Sequence, residues 1–489
     1  MSKNTTKRSL LASVFALVLC VAMLVGSTFA WFTDTASTGV NKIVSGNLKV
    51  DIIGADSDSH IEKLNFTKAA VTDAEAGAEI LWEPGCRYLT EGFRIANKGN
   101  LALKWKAQVN TGTTVANEGN FDLLDVIDFY LVTKAADGTE TETALDVFTG
   151  NLKKTETSDV YYIKGVMQTT AGNDYQGLTL DGISITVVAT QDTVENDSFN
   201  NQYDKDAEYP ILVTTGDELQ ATVNNATAPV NIVLANSITT NNFVIPADKD
   251  VTLDLNGRTV TNAGSHTILN KGHLTLTDSS TDKSGQIISL KGNTAALRNG
   301  DNAVCVVEGG TISRDGANGN TWHVVENFGK MTFNGGKVVL KNGNGFAITN
   351  GWNYFDPGAS TTHAVMEINA LELDTDSSGI KNCRYGDLTV NDVTVTSTGY
   401  WALSNDYLGT AVINGGTLTS KSFKAVSNGA AMTVNGGTFN GTNGLFVQSY
   451  ATSTVLNGGT FANMNVAALS SYVGTGHTAQ QSGTSVIIK

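Results

Sequence analysis

The stretch VINGGTLTS at residues 412–420 returns as TVNGGTFNG at 433–441 and as VLNGGTFAN at 455–463. The copies begin 21 and 22 residues apart, and each contains a short apolar strand, an Asn-Gly-Gly turn and a second strand. A period in the low twenties with a Gly turn at a fixed place is typical of a parallel β-helix in which each repeat forms one coil. The repeat therefore predicts a solenoid.

Equivalent turn positions extend the repeat through the second half of the chain. Most neighbouring positions are 20 to 23 residues apart, and the longer intervals indicate turns that carry insertions. The Gly residues after several of these positions supply a positive φ at one corner of the coil, where other residues are strained. The positions are Asn236, Asn256, Asp278, Glu308, Asn334, Asn369, Asn391, Asn414, Asn435 and Asn457.

We expect the coils to be stable only together, because each buries its apolar face against its neighbours. One residue of each adjacent pair should point into the core, at 412–413, 433–434 and 455–456. Residues 211–489 are therefore predicted to be a right-handed parallel β-helix.

The first coil of such a solenoid needs a cover. TTGDELQATVNNA at 214–226 is predicted to form a short capping helix, because Thr215 and Glu218 have capping-box spacing.

The composition agrees with an all-β protein. The 489 residues include 50 Gly but 5 Pro, and 16% are charged, which suits many short strands joined by Gly and Asn turns. The formal net charge is −15. Such an acidic chain is not expected to bind nucleic acid or anionic lipid surfaces.

Residues 1–30 have a basic start, a long apolar run and small residues near Ala30. This pattern predicts a secretory signal peptide cleaved near Ala30, and hence a secreted protein of the cell surface or extracellular matrix. The apolar run from Leu10 to Phe32 is also nearly long enough to span a bilayer, so an uncleaved anchor stays open. The remaining chain has three cysteines without paired spacing, which does not indicate a disulfide framework.

The region before the solenoid has a different sequence pattern, without repeats. Alternating apolar and polar residues predict half-buried strands of a β-sandwich at NLKVDI (47–52), EGFRIAN (91–97), ALKWKAQV (102–109) and GISITVVATQ (182–191). The polar stretch at 195–210 is closed by Pro210 and is predicted to be a linker.

Three blocks of this region, at 26–52, 83–110 and 175–199, resemble the camelysin and TasA family of Gram-positive biofilm matrix proteins. The resemblance covers about 170 residues. It implies that residues 31–203 form a jelly-roll domain and that a dedicated signal peptidase processes the exported chain.

The same resemblance implies self-assembly into filaments, in which the freed N-terminal segment of one subunit completes a sheet of the next. Main-chain pairing at an open sheet edge is the physical basis of such assembly. The matching positions include Trp31, Phe32, Val40 and Ile43. The alternative is that these residues form an ordinary first strand of their own domain.

No cofactor or metal site is predicted. Some members of the family are labelled metallopeptidases, but this chain has no HExxH motif, and His60 is the only histidine before the linker. The usual two-histidine zinc arrangement therefore cannot be built there.

The NGGT-rich repeats resemble β-helices of bacterial surface proteins and, more distantly, the pectate-lyase-like superfamily. That scaffold serves enzymes and adhesins alike. The catalytic blocks of polygalacturonases are absent from the sequence, and no catalytic residue is assigned. Asp387, Asp392 and Asp406 are weak candidates for the alternative function, a polysaccharide-degrading enzyme such as a lyase or glycoside hydrolase.

One turn of each late coil carries asparagine beside aromatic residues. Aromatic faces among amide donors suit sugar rings, so the turn is a candidate glycan-binding face. The alternative is that stacked asparagines satisfy the turn backbones while the aromatic rings shield them. The residues are Asn350, Asn382, Asn405 and Asn428, with Trp352, Tyr354, Tyr385, Tyr407 and Tyr450.

Together these features predict a secreted structural or adhesive protein of a cell surface or biofilm matrix. Its expected partners are further copies of itself, a signal peptidase, and a glycan or another cell-surface ligand.

Overall fold

A computed structural model describes residues 48–61, 64–67, 82–110, 113–114, 121–145, 147–181, 184–192, 208–316, 322–352 and 362–489. The protein is all-β, with 49% of it in strands, so the predicted class is confirmed. The described residues belong to one compact unit, Asn47–Lys489. The signal segment and the four predicted assembly residues lie outside the described residues.

The first region contains short strands and two 3-10 helices, Leu123–Asp125 and Asn173–Tyr175. Its described strands are β1 (Val50–Gly54), β2 (Phe66–Thr67), β3 (Arg87–Thr90), β4 (Phe93–Asn97), β5 (Leu103–Asn110), β6 (Thr113–Thr114), β7 (Ile127–Lys134), β8 (Glu140–Ala144), β9 (Phe148–Leu152), β10 (Tyr161–Met167), β11 (Leu180–Asp181) and β12 (Ser184–Gln191).

These strands form two main antiparallel sheets. The large sheet has the order β1-β4-β10-β3-β2, with β7 paired to β10 and β8 paired to β7, and the small sheet has the order β12-β5-β9. Phe93 and Ile163 of the large sheet pack against Leu103 and Trp105 of the small sheet, and all four are at most 1% exposed. The region is therefore a β-sandwich, while its jelly-roll winding stays a prediction.

The second region is a β-solenoid of about ten turns. Its described strands are β13 (Ile211–Val213), β14 (Val230–Leu234), β15 (Ile238–Thr240), β16 (Phe243–Ile245), β17 (Asp250–Asp254), β18 (Thr259–Asn262), β19 (Ile268–Asn270), β20 (His273–Thr277), β21 (Gln286–Ser289), β22 (Leu297–Asn299), β23 (Val304–Val307), β24 (Thr311–Asp315), β25 (Val325–Asn327), β26 (Lys330–Phe333), β27 (Lys337–Lys341), β28 (Phe346–Asn350), β29 (Ala364–Ile368), β30 (Glu372–Thr375), β31 (Ser378–Asn382), β32 (Gly386–Val390), β33 (Thr394–Ser397), β34 (Leu403–Asn405), β35 (Thr410–Ile413), β36 (Thr417–Ser420), β37 (Val426–Asn428), β38 (Ala431–Val434), β39 (Thr438–Asn440), β40 (Leu445–Val447), β41 (Ser453–Leu456), β42 (Gly459–Phe461), β43 (Ala479–Ser482) and β44 (Ser485–Ile488).

Successive coils pair in parallel and build three long sheets. Sheet 1 starts with β13, β14 and β17 and ends at β41. Sheet 2 runs from β15 and β18 to β42, and sheet 3 from β16 and β19 to β40. Each complete coil contributes one strand to each sheet. The repeat and the β-helix are therefore confirmed, and the right-handed winding stays a prediction.

The inward residues stack in register, as the sequence predicts. Ile413 pairs with Val434, and Val434 pairs with Leu456, and all three are at most 1% exposed. Their neighbours in the chain point outward. Burying a side chain of this size contributes about 1.5–3 kcal/mol, and these residues belong to one continuous apolar core along the solenoid.

The corner between sheets 1 and 2 has the positive φ angles that the sequence predicts. Gly310, Gly336, Gly416, Gly437 and Gly459 all have φ between 86° and 108°. Each is the second Gly after an Asn or Glu turn position, so the repeated Gly-Gly supplies the left-handed residue that the corner requires.

Both ends of the solenoid are covered. Helix α1 (Gly216–Asn225) lies at the predicted place, and its N-cap Thr215 Oγ1 accepts from the Glu218 amide at 3.2 Å. The Glu218 carboxylate accepts a hydrogen bond from the Thr214 amide at 2.8 Å. A standard capping box would instead use the amide of the N-cap residue, Thr215. At the other end, α2 (Val466–Leu469) and the β43–β44 hairpin follow β42, with β44 antiparallel to it.

The sandwich contacts the first coils of the solenoid through one face of the small sheet. Val188 of β12 packs with Leu212 and Val233 in a separate apolar cluster that also contacts Tyr209. The Arg258 guanidinium donates to Ser184 Oγ at 3.2 Å. The outer face of β12 is therefore covered by the solenoid.

Candidate functional site

A ladder of buried asparagines runs along the corner between sheets 3 and 1. The Nδ2 of every member except the last donates to the Oδ1 of the asparagine on the next coil, with N···O distances of 2.7–2.9 Å. Every member is at most 1% exposed. The ladder consists of Asn270, Asn299, Asn327, Asn350, Asn382, Asn405 and Asn428.

The same amides also satisfy the turn backbone. Asn382 Nδ2 lies 2.8 Å from the Gly386 carbonyl oxygen and 3.0 Å from that of Thr410. Asn405 Nδ2 lies 2.8 Å from the Ala431 carbonyl oxygen. The four asparagines predicted as ligand contacts are thus inside the protein, where their amides bond to one another and to the turn backbone.

Sequence reasoning missed the first three members of this ladder. Asn270, Asn299 and Asn327 precede turns of varied sequence, KGH, GDN and FGK, that lack the pattern of the later coils. Their position at the end of a short strand with a buried residue two places earlier is the signal that could have found them.

The predicted aromatic residues that the structure describes lie on the turns beside this ladder, but their exposure differs. Tyr407 is 46% exposed and Tyr450 is 55% exposed. Trp352 is 9% exposed, because its ring packs on Phe328 of the preceding coil at a centroid distance of 4.5 Å. Trp352 is therefore a packing residue, while Tyr354 lies outside the described residues.

Tyr385 connects the aromatic corner to charged side chains. It has a positive φ of 57°, and the Arg384 guanidinium lies 4.8 Å from its ring centroid. The centroid of the His363 ring lies 5.6 Å from that of the Tyr385 ring. His363 Nδ1 is 2.8 Å from Asp387 Oδ2. Tyr385 and its neighbours thus form a half-exposed cluster of mixed charge.

Tyr450 rests on a glycine. A Cβ at position 429 would lie 2.7 Å from Tyr450 Cε2, so only Gly429 lets the ring lie against the corner. The ring therefore has one face on the backbone and the other toward solvent. We name Tyr385, Tyr407 and Tyr450 the tyrosine ridge.

Of the three candidate catalytic aspartates, Asp392 lies apart from Asp387. Asp387 is held by His363, and Asp406 Oδ2 lies 3.4 Å from Lys381 Nζ. Asp392 is exposed at the opposite edge of sheet 1, about 13–16 Å along the strand from Asp387 at 3.3 Å per residue. That is too far for the 6.5–9.5 Å carboxylate separation of an inverting glycosidase.

A second polar cluster lies on the outer side of sheet 3 and was not predicted. Glu326 is 3% exposed and accepts from Arg298 and from Trp322 Nε1, both at 2.9 Å. Arg298 also lies over the Phe328 ring at 4.5 Å. The carboxylate is satisfied by these neighbours, which indicates a structural role.

Two histidines lie at the edge of sheet 3 on this side. The Nδ1 atom of His266 accepts from the Ala295 amide at 2.8 Å, and that of His323 lies 3.0 Å from the Phe346 carbonyl oxygen and 3.3 Å from the Phe346 amide. Burial lowers the pKa of both histidines, while the Glu326 carboxylate acts in the opposite direction. Both are therefore neutral near neutral pH, which in His266 suits a ring nitrogen that accepts a backbone hydrogen bond.

Within the described residues, no group of three or more His, Cys, Asp or Glu side chains is arranged to hold a metal ion. The helices that the structure describes are too short or too polar to cross a bilayer. Comparison with models of protein families gives no match for the chain, and a search among curated proteins gives none either. The geometry of the tyrosine ridge is therefore the basis for a functional proposal.

Proposed function

We propose that this chain is an exported structural or adhesive protein of a cell surface or biofilm matrix, and that its solenoid displays a glycan-binding ridge. The observation that carries the proposal is the exposure of Tyr407 and Tyr450 above a fully buried ladder. Rings that belong to a core would be covered, as Trp352 is.

The ridge offers what a sugar ring needs from a protein surface. Tyrosine supplies an apolar face and a hydroxyl, and such rings on a rigid frame lose little conformational entropy when a ligand binds. Coils repeat at about 4.8 Å, so Tyr385 and Tyr407 follow one repeat apart and Tyr450 two repeats beyond Tyr407. The ridge therefore suits an extended chain along the solenoid axis.

A binding measurement tests this ridge. The mature protein is titrated against purified bacterial and plant polysaccharides in affinity electrophoresis, beside Tyr407→Ala plus Tyr450→Ala. Leu290→Ala is the matched control, because Leu290 is 58% exposed outside the ridge. We expect the double variant to lose at least tenfold in affinity for the bound glycan and the control to lose none; equal binding by all three proteins would refute the ridge.

We also propose that the first region assembles in the manner implied by its resemblance to TasA. The solenoid covers the outer face of β12 through Val188 and Arg258, which leaves the sheet edges at β2, β8 and β9 outside that contact. Protein beginning at Trp31 should form fibres in electron microscopy and sediment accordingly, whereas protein beginning at Val44 should not. Monomers from both forms would contradict the assembly.

The alternative proposal is that the chain is a polysaccharide-degrading enzyme. It rests on one observation: His363 Nδ1 lies 2.8 Å from Asp387 Oδ2, beside Tyr385. A histidine paired with a carboxylate can act as a general base. Release of oligosaccharides by the mature protein, abolished by Asp387→Asn or Asp406→Asn, would favour this alternative. Binding without release favours the adhesive role.

A further inference from the structure

A regular array of hydroxyl groups covers the outer face of sheet 2 over its last coils. The register places Thr394, Thr417, Thr438 and Thr460 in one row, and Thr396, Thr419 and Asn440 in a second row beside it. The spacing is about 4.8 Å along the axis and about 6.6 Å across it. We name these seven residues the threonine face.

The threonine face is held rigidly from below. The residues between them point into the core and are fully buried: Val395, Leu418, Phe439 and Phe461. The two phenylalanine rings stack with their centroids 4.8 Å apart. Threonine itself is branched at Cβ and has restricted rotamers. The hydroxyl and methyl groups are therefore fixed in position before any ligand arrives.

The seven residues of the face carry no charge, in contrast to the same rows in the two coils directly before it. The same rows contain Lys337 and Glu372, paired at 2.6 Å, and Asp374, which pairs with Lys341 at 2.8 Å. From residue 388 to the end, the sequence has 2 of the chain's 47 acidic residues, Asp392 and Asp406. The strongly acidic character of the protein thus stops where the threonine face begins.

Polar and aromatic groups border the face on its two sides. On the corner toward sheet 1, exposed amides of Asn391, Asn414, Asn435 and Asn457 are joined by N···O distances of 2.7–2.9 Å. On the other side Tyr400 is 59% exposed and packs edge-on against Phe423. The strip therefore combines amides, hydroxyls and an aromatic ring, and its border also holds two cations, the exposed Lys421 after β36 and Lys424, whose Nζ lies 5.5 Å from the Phe423 ring centroid.

We infer that the threonine face is a docking surface for an uncharged polysaccharide that lies flat across several coils. A polymer without charge fits seven side chains without charge, whereas an acidic polymer would find cations only at the border and would be repelled by the acidic coils before the face. Repeated hydroxyl groups on the polymer match repeated donors and acceptors on the protein. This face is separate from the tyrosine ridge, and the inference does not depend on it.

Co-sedimentation with insoluble cellulose, an uncharged β-glucan, tests the inference. The mature protein is compared with Thr417→Lys plus Thr419→Lys, which places two charges in the face. The matched control is Thr259→Lys plus Thr261→Lys, the same Thr-x-Thr pattern on an early strand of the same sheet. Soluble polygalacturonate serves as the acidic competitor.

We expect the mature protein and the early-strand control to sediment with cellulose, and the Thr417 and Thr419 variant to lose at least tenfold in bound fraction. The competitor should have no effect. Tyr407→Ala plus Tyr450→Ala should bind cellulose normally, which separates this face from the ridge. Thr394→Glu provides a milder change if the double variant does not fold.

Three results would overturn the inference. The first is absence of cellulose binding by the mature protein, and the second is equal loss in the early-strand control. The third is a change of oligomeric state in sedimentation velocity caused by Thr417→Lys plus Thr419→Lys, since that would make the face an interface between copies of this chain.

Discussion

Two asparagine ladders run along the same solenoid and differ in almost everything except residue type. In the buried ladder between sheets 3 and 1, each amide bonds to its neighbour, and most also bond to backbone carbonyl groups, as Asn382 does to Gly386 and Thr410. In the exposed ladder between sheets 1 and 2, Asn414 donates to Asn391 at 2.7 Å beside a Gly-Gly turn. A repeated asparagine therefore marks a corner without revealing which side of it faces water.

The difference has an energetic meaning. A buried amide has no water to replace a lost partner, so removing one leaves several groups unsatisfied. An exposed amide exchanges its partner for water at little cost. We therefore expect the two ladders to respond very differently to the same substitution.

The largest effect should come from Asn382→Ala. The change removes the donor to Gly386, Thr410 and Asn405 and the acceptor for Asn350. We expect a loss of about 3–5 kcal/mol in the free energy of unfolding, as for a broken buried network. Urea unfolding followed by circular dichroism measures it, and a loss below about 1 kcal/mol would mean that the buried ladder is not structural.

A smaller effect should follow from Gly416→Ala in the corner of the exposed ladder. Gly416 has a φ of 92°, and a Cβ there would lie 2.6 Å from the Val393 carbonyl oxygen. We expect a loss of about 1–3 kcal/mol from backbone strain. Gly476→Ala is the control, because Gly476 also has a positive φ but nothing lies within 4 Å of its Cβ position; an equal loss in both variants would exclude the close contact as a cause.

The stability of the solenoid should also depend on pH through the two buried histidines, His266 and His323. Burial lowers the pKa of both, so the unfolded chain binds protons first as the pH falls through about 6.5. The stability present above that pH should therefore decrease below it. Urea midpoints at pH 7.5 and pH 5.5 measure the effect, and an unchanged difference in His266→Gln plus His323→Gln would assign it to other groups.

The smallest effect is expected from Asn414→Ala. Its amide is exposed, and the loss should stay below about 1 kcal/mol. The same urea experiment measures it beside Asn382→Ala. A loss equal to that of Asn382→Ala would remove the distinction between the two ladders.

The solenoid could be predicted from the sequence because its corners repeat. Asn414, Asn435 and Asn457 with their following Gly residues define the coil length and the register, and the structure places them one coil apart. The C-terminal cover formed by the β43–β44 hairpin was not predicted, because it occurs once and shares no pattern with the coils.

The candidate site was harder to predict, because exposure depends on neighbouring coils. Trp352 and Tyr407 occupy similar turns but differ in exposure. Phe328 on the preceding coil packs against the Trp352 ring and buries it, whereas the Tyr407 ring is exposed. The buried state of Asn350 and Asn382 likewise follows from stacking between coils. Such contacts join residues more than twenty positions apart, and the spacing of motifs alone does not contain them.

The most direct test of the central claim is a glycan-binding isotherm combined with an unfolding curve for Tyr407→Ala plus Tyr450→Ala. The account predicts that affinity falls at least tenfold, or about 1.4 kcal/mol, while the urea midpoint stays within error of the unsubstituted protein. Unchanged affinity would contradict the claim that the tyrosine ridge binds glycan, and a large shift of the midpoint would show that the two rings belong to the fold.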